Sequence, residues 1–348
     1  MTAVLRKLAR RCRRVLPAGC AALAALVALG CTSRSDTSEL RIPLGAGGVG
    51  FLPLMVMREH DLVEKHARAA GLDDLKVRWI DLGGPAVMND ALLSGSVDLI
   101  AAGPPAFLTL WDRTRGGADV LGVAAMTSLP MYLNTRSARL RTIDDLTDQD
   151  KVAVTAIKVS IPAIIMQMYA AERYGPDQAD RFDRYTVTMN HPDALLAMLS
   201  GSSEINAHFT SPPFHQREIR EPDVRTIMSS NDVMGGATTF TMLSTTRRFR
   251  DESPAAFAAV LAALEEANEL IRADPATAAQ VLIDADGGGG FTSGELVEML
   301  ADPDIEFTTV PANMMKYAEF MHEIGSLRTV PESWRDLFFA DIHALPGG

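Results

Sequence analysis

Ala91-Leu92-Leu93-Ser94-Gly95-Ser96-Val97-Asp98-Leu99-Ile100-Ala101-Ala102-Gly103-Pro104-Pro105-Ala106-Phe107 has an echo later in the chain. The second copy runs Ala197-Met198-Leu199-Ser200-Gly201-Ser202-Ser203-Glu204-Ile205-Asn206-Ala207-His208-Phe209-Thr210-Ser211-Pro212-Pro213-Phe214. Each reads as a helix end, a Ser-Gly-Ser turn, an acid, a strand, a Pro-Pro loop and an aromatic. Each preceding helix opens near a proline, Pro85 or Pro192. The pair implies two lobes built on one plan. The competing reading is chance likeness of a common helix-turn-strand unit. Ligands of open parallel sheets bind beyond the carboxyl ends of the strands. Two facing lobes would therefore aim both Pro-Pro loops into one shared cleft, the geometry of a hinged binding protein.

Outward from these units, short apolar runs alternate with helical patterns. Strands are expected at 40–44, 75–80, 97–102, 120–126, 152–156, 185–189 and 205–209. Helices are expected at 51–60, 85–93, 105–111, 161–174 and 192–199. This alternation predicts α/β structure with parallel sheets and crossover helices. From Ser253 the chain reads as mainly helical. Ser253-Pro254 and Asp274-Pro275 look like helix starts, and Thr292-x-x-Glu295 has capping-box spacing. The glycine run 287–290 reads as a surface loop.

The N-terminus carries an address. Arg6, Lys7, Arg10, Arg11, Arg13 and Arg14 precede the apolar run 15–30, which is shorter than the ~20 residues a bilayer span needs. A basic start, a short apolar core and small residues before a cut describe a secretory signal peptide at 1–30. Gly30-Cys31 resembles a bacterial lipoprotein cleavage box, so Cys31 is the expected lipidation site and 31–39 a tether. A plain signal peptide, an uncleaved anchor or cleavage before Cys20 are the other readings. The 348 residues hold 33 basic and 44 acidic side chains, a net charge of −11, and the leader removes six of the basic ones and no acid. So acidic a mature chain disfavours nucleic acid and anionic membrane as partners. Cleavage at Cys31 leaves a single thiol, so the mature chain has no internal disulfide.

Chemistry-bearing motifs are few. Gly45-Ala46-Gly47-Gly48-Val49-Gly50 fits G-x-G-x-x-G, but the acid expected ~20 residues on is replaced by the more distant Asp81, and Pro53 sits in the opening turn. The turn is better read as backbone N–H groups at a helix start, which favour a small anionic or polar group. Gly83-Gly84-Pro85, Gly103-Pro104-Pro105, Ser160-Ile161-Pro162 and Thr210-Ser211-Pro212-Pro213 repeat that arrangement after successive strands. Singly, each is ordinary capping. The histidines are scattered at 60, 66, 191, 208, 215, 322 and 343. The sequence has no H-E-x-x-H, nucleophile elbow, Walker loop or zinc-type cysteine pair. No cofactor is expected, and ATP hydrolysis would reside in another chain. His208 is placed at the cleft, either as a packed imidazole or as a donor to ligand. Lys158 either neutralises an anion or faces solvent. Phe51, Phe209 and Trp111 are candidates for an apolar wall, with core packing the expected role of Trp111.

Through Gly50–Leu54, Ala91–Phe107, Lys151–Ser160, Pro192–Phe214 and Gly235–Leu243, the chain resembles substrate-binding proteins of the nitrate/sulfonate/taurine class of ABC importers. The resemblance implies a two-lobed type II periplasmic binding protein fold with two crossovers and a central ligand cleft. It places 38–130 and 245–348 in lobe I and 131–244 in lobe II. It implies a lipid-anchored, extracytoplasmic and monomeric solute-binding protein serving ABC permease subunits with a separate ATPase. The candidate ligand-binding residues are Gly48, Phe51, Gly83, Gly84, Gly103, Pro104, Ser160, His208, Phe209, Thr210, Ser211 and Thr239. The ligand stays open among sulfonates, nitrate-like anions, pyrimidines and aromatic carboxylates. The competing functions are an enzyme of thiamine-precursor type on the same fold and a ligand-sensing lipoprotein.

Overall fold

A computed structural model of the chain describes residues 38–348, apart from 46 and 83. The leader, Cys31 and Gly83 lie outside the described residues. Eleven strands are present among the described residues: β1 (Glu39–Pro43), β2 (Lys76–Ile80), β3 (Leu99–Ala102), β4 (Val120–Ser128), β5 (Tyr132–Thr135) and β6 (Lys151–Val154), then β7 (Thr186–Thr188), β8 (Ile205–Thr210), β9 (Arg225–Ser229), β10 (Thr239–Thr246) and β11 (Glu306–Phe307).

They form three sheets, ordered β1-β2, β11-β4-β10-β3 and β7-β6-β8-β5-β9. β1 runs beside the start of β3. There the Asp98 N–H donates to the Arg41 carbonyl, and the two side chains pair at 2.7 Å. The chain passes from β4 directly into β5 of the five-stranded sheet and returns from β9 into β10.

That double passage corrects the expectation of parallel sheets. β1–β2, β6–β7 and β6–β8 are parallel, but β10 is antiparallel to β3 and β4, and β5 is antiparallel to β8 and β9. A strand that enters from the other sheet has no crossover helix to turn it round, so it runs against its new neighbours. β10 pairs with β3 and β4 rather than with any strand of the five-stranded sheet.

Local signals place the helices. Ser160 caps Ile161–Tyr174, with Pro162 in its first turn, and Asn190 caps His191–Ser200 by accepting from the Asp193 N–H at 2.9 Å. Asp274 caps Pro275–Asp286, and Thr292 with Glu295 closes a reciprocal capping box. The glycine run forms a short 3-10 turn, Gly287–Gly290. Pro254–Ala273 buries Phe257, Val260, Leu264 and Ile271 on one face and packs on Leu52–Glu59 and Leu62–Ala69. Both echo units have the same build: a helix, a glycine in the left-handed region (Gly95 φ 71, Gly201 φ 67), a strand, and a Pro-Pro turn into the next helix. No helix among the described residues is long and apolar enough to cross a membrane.

Candidate functional site

Helix starts from both sheets converge on one cleft. From the β1–β4 side come the glycine turn before the 3-10 helix Val49–Phe51, Gly84 before Pro85–Leu93 and Gly103 before Pro104–Thr114. From the five-stranded sheet come Ser160 and Asn190, each at a helix N-cap. Between them lie an inner cavity of about 50 Å³ and an outer one of about 830 Å³, both touching Gly47 and Thr155. The inner walls are mostly apolar: Phe51, Met88, Met131, Ile161 and Phe240, with Phe51 and Phe240 packed edge to face at 6.4 Å. Thr155, Ser160, His191 and Thr241 supply its polar side chains. The outer cavity adds Arg58, Asp81, Asn190 and Asp193.

Most of those polar groups are already engaged. The Ser160 hydroxyl donates to the Ala156 carbonyl at 2.5 Å and accepts from the Ala163 N–H at 3.5 Å. Thr241 Oγ1 donates to the Gly50 carbonyl at 2.7 Å and sits 2.7 Å from Thr127 Oγ1. His191 leads into a buried chain. Its Nδ1 is 2.9 Å from His208 Nε2, and His208 Nδ1 is 2.5 Å from Glu218 Oε1. Asn134 donates to Glu218 Oε2 at 2.8 Å and contacts His215 Nδ1 at 3.1 Å. Burial and the neighbouring His208 hold His191 well below the ordinary imidazole value, and burial lowers His215 to about 4.

The candidate residues fall at different depths. Phe51, Gly103 and Ser160 line the inner cavity, and Gly84 lines the outer one. Gly48 stands where the two halves of the cleft meet, since a Cβ there would lie 3.2 Å from the Pro212 carbonyl. His208 is not on either wall: it is fully buried on β8, one residue behind His191, with both ring nitrogens occupied within the protein. Pro104, Phe209, Thr210, Ser211 and Thr239 are buried outside both cavities. Pro104 opens its helix, Phe209 joins the core, and Thr239 Oγ1 accepts from the Ala312 N–H at 2.9 Å. The β8 turn is drawn inward because strand Ile205–Thr210 lies at the middle of its sheet, between β6 and β5. Lys158 is exposed and touches neither cavity, and Trp111 packs in the core with its indole N–H on the Asp336 carbonyl.

Sequence reading passed over His191, Met131, Thr155, Phe240 and Thr241. His191 carried a usable signal, since Asn190-His191-Pro192 follows a strand and opens a helix as the chosen turns do. The others had none: Phe240 and Thr241 lie on a strand whose place against the cavity is set only by its partners.

The fold is shared with known structures. The alkanesulfonate-binding protein SsuA from Xanthomonas axonopodis pv. citri, bound to MOPS, superposes with TM-score 0.64 at 20% identity, covering 84% of this chain and 95% of that one. The periplasmic nitrate-binding protein NrtA from Synechocystis PCC 6803 gives 0.62 at 13%, covering 84% and 83%. The Candida albicans CA3427 gene product, described as having the generic periplasmic binding protein structural fold, gives 0.61 at 12%, covering 84% and 92%. This chain therefore has the periplasmic binding protein fold. It belongs to the NMT1-like family, whose model matches residues 47–283. No curated protein sequence matches it significantly.

Proposed function

We propose that the protein is an extracytoplasmic solute-binding protein of the nitrate/sulfonate/taurine class, which captures a small anionic or heterocyclic solute for an ABC importer. Permease subunits and a separate ATPase would be its partners, and lipid on Cys31 would hold it at the membrane as a monomer. The observation that carries this reading is the cavity itself, walled by helix starts from both sides and by the rings of Phe51 and Phe240. Such a site engulfs a ligand when the two halves approach, and N–H groups at helix starts favour its polar end. The likeness to sulfonate- and nitrate-binding proteins supports the solute class.

Native mass spectrometry of gently purified protein should detect a copurified small molecule. Sulfonates, nitrate and neutral heterocycles should then be titrated while unfolding is followed. A true ligand stabilises by ~2.7 kcal/mol at a hundredfold excess over its Kd. No stabilisation by any such solute, or chemical turnover of a bound one, overturns the proposal.

A further inference from the structure

The buried Glu218–His208–His191 chain takes one polarity when Glu218 is ionised and charge-paired with His208. Glu218 and His208 are both fully buried and are joined at 2.5 Å. An ionised carboxylate without solvent is tolerated when charge-paired and hydrogen-bonded. His208 is the ionisable partner in contact with it, and Asn134 fills its other oxygen. As an imidazolium, His208 has a proton on each ring nitrogen. One goes to Glu218, and the other, on Nε2, points at His191 Nδ1, 2.9 Å away. His191 Nδ1 must then accept. Its ring is held by stacking on Phe214 at 5.4 Å, and its Nε2 has no partner among the described residues.

We propose that Glu218 and His208 are positioning residues that fix His191 as a neutral Nε2–H donor at the inner cavity, where it recognises an acceptor oxygen of the solute. In the opposite arrangement, with Glu218 ionised and His208 neutral with its one proton on Nδ1, His191 would carry its proton on Nδ1 and offer the cavity a bare lone pair. Sulfonate, nitrate and carboxylate oxygens suit the first state and are repelled by the second. The low proton affinity that burial gives His191 keeps it from becoming doubly protonated, so its charge stays fixed while its tautomer is set from behind. The titratable groups around it are His208 on β8, Glu218 and His215 on the helix Phe214–Glu218, and Asp193 on its own helix. Arg58 and Asp81 stand across the outer cavity.

The preference for an acceptor oxygen rests on the solute-binding reading, whereas the proton arrangement does not. The full mature chain, labelled with ¹⁵N-histidine, should be examined at neutral pH by a correlation spectrum that reports both ring nitrogens. His191 should be protonated on Nε2 alone and His208 on both nitrogens. A His191 protonated on Nδ1 with bare Nε2 overturns the proposal. Glu218→Gln removes the charge that holds the extra proton on His208. It should leave His208 with a single ring proton, because the Gln amide carries no charge and can itself donate to His208 Nδ1. A His208 that keeps both ring protons in a folded Glu218→Gln variant overturns the relay; if the variant fails to fold, the wild-type spectrum decides. If the wild type binds neither methanesulfonate nor nitrate while its spectrum is as expected, the solute class is overturned and the relay stands.

Discussion

The backbone N–H of Val49 donates to the carbonyl of Pro212 across 3.3 Å, joining the glycine turn after β1 to the Pro-Pro turn after β8. Gly48 makes that approach possible. Its φ of 78 and ψ of −178 belong to a region essentially reserved for glycine, and a Cβ would meet the Pro212 carbonyl at 3.2 Å and the Phe214 ring at 3.3 Å. Gly48→Ala should therefore cost about 1–3 kcal/mol in urea unfolding. A variant as stable as the parent would show that the turn relaxes freely.

Gly103 and Gly84 test the two depths of the cleft. A Cβ on Gly103 would lie 2.8 Å from Ile161 Cδ1 and 3.2 Å from the Phe240 carbonyl. Gly103→Ala should push Ile161 into the small inner cavity, costing ~1–3 kcal/mol of stability and abolishing ligand-induced stabilisation. A Cβ on Gly84 faces only the Thr155 carbonyl at 3.2 Å, across the outer cavity. Gly84→Ala should cost less stability than Gly103→Ala, because only the Thr155 carbonyl has to give way, while lowering affinity. Calorimetric titration and melting of the same samples separate these outcomes, and equal affinity in both variants would count against the cleft.

Ser160 sits on the cavity wall, yet its hydroxyl already serves the Ala156 carbonyl and the Ala163 N–H. Ser160→Ala should lower stability by ~1 kcal/mol with or without solute and leave affinity nearly unchanged. Loss of affinity at constant apo stability would assign the hydroxyl to the ligand instead.

His215 makes stability depend on pH. Its folded value of about 4 lies below the ordinary 6.5, so between these limits the unfolded chain binds a proton that the folded protein refuses. Its contribution is fully present above pH 6.5 and is lost as pH falls toward 4. His191 is shifted in the same direction. Chemical unfolding should show stability falling by about 1–3 kcal/mol over this window. His215→Phe, which keeps a ring against Tyr132, should flatten part of the slope, and an unchanged slope would sink the assignment.

Cys31→Ser should release the protein from the membrane fraction, because stable anchoring needs the multiple chains of a lipoprotein. A variant that remains bound and retains its leader would point to an uncleaved anchor.

Much of the site was readable along the chain where its cause is local. The helices Pro85–Leu93 and Ile161–Tyr174 begin and end where proline, N-cap and apolar spacing place them, since a cap or a first-turn proline acts within a few residues. The Ser-Gly-Ser echo likewise marked two like-built units from sequence alone, with Gly103 in the first, while separate glycine and N-cap turns marked Phe51, Gly84 and Ser160. What sequence could not determine was which groups face one another. β10 alternates threonines with apolar residues, and only its pairing with β3 and β4 sets Phe240 and Thr241 on the cavity wall. His208 and His191 are alike as letters, but a central strand buries the first and a helix start leaves the second at the cavity. Strand neighbours and burial depend on residues far apart in sequence, so the tertiary structure alone decided which histidine lines the cavity.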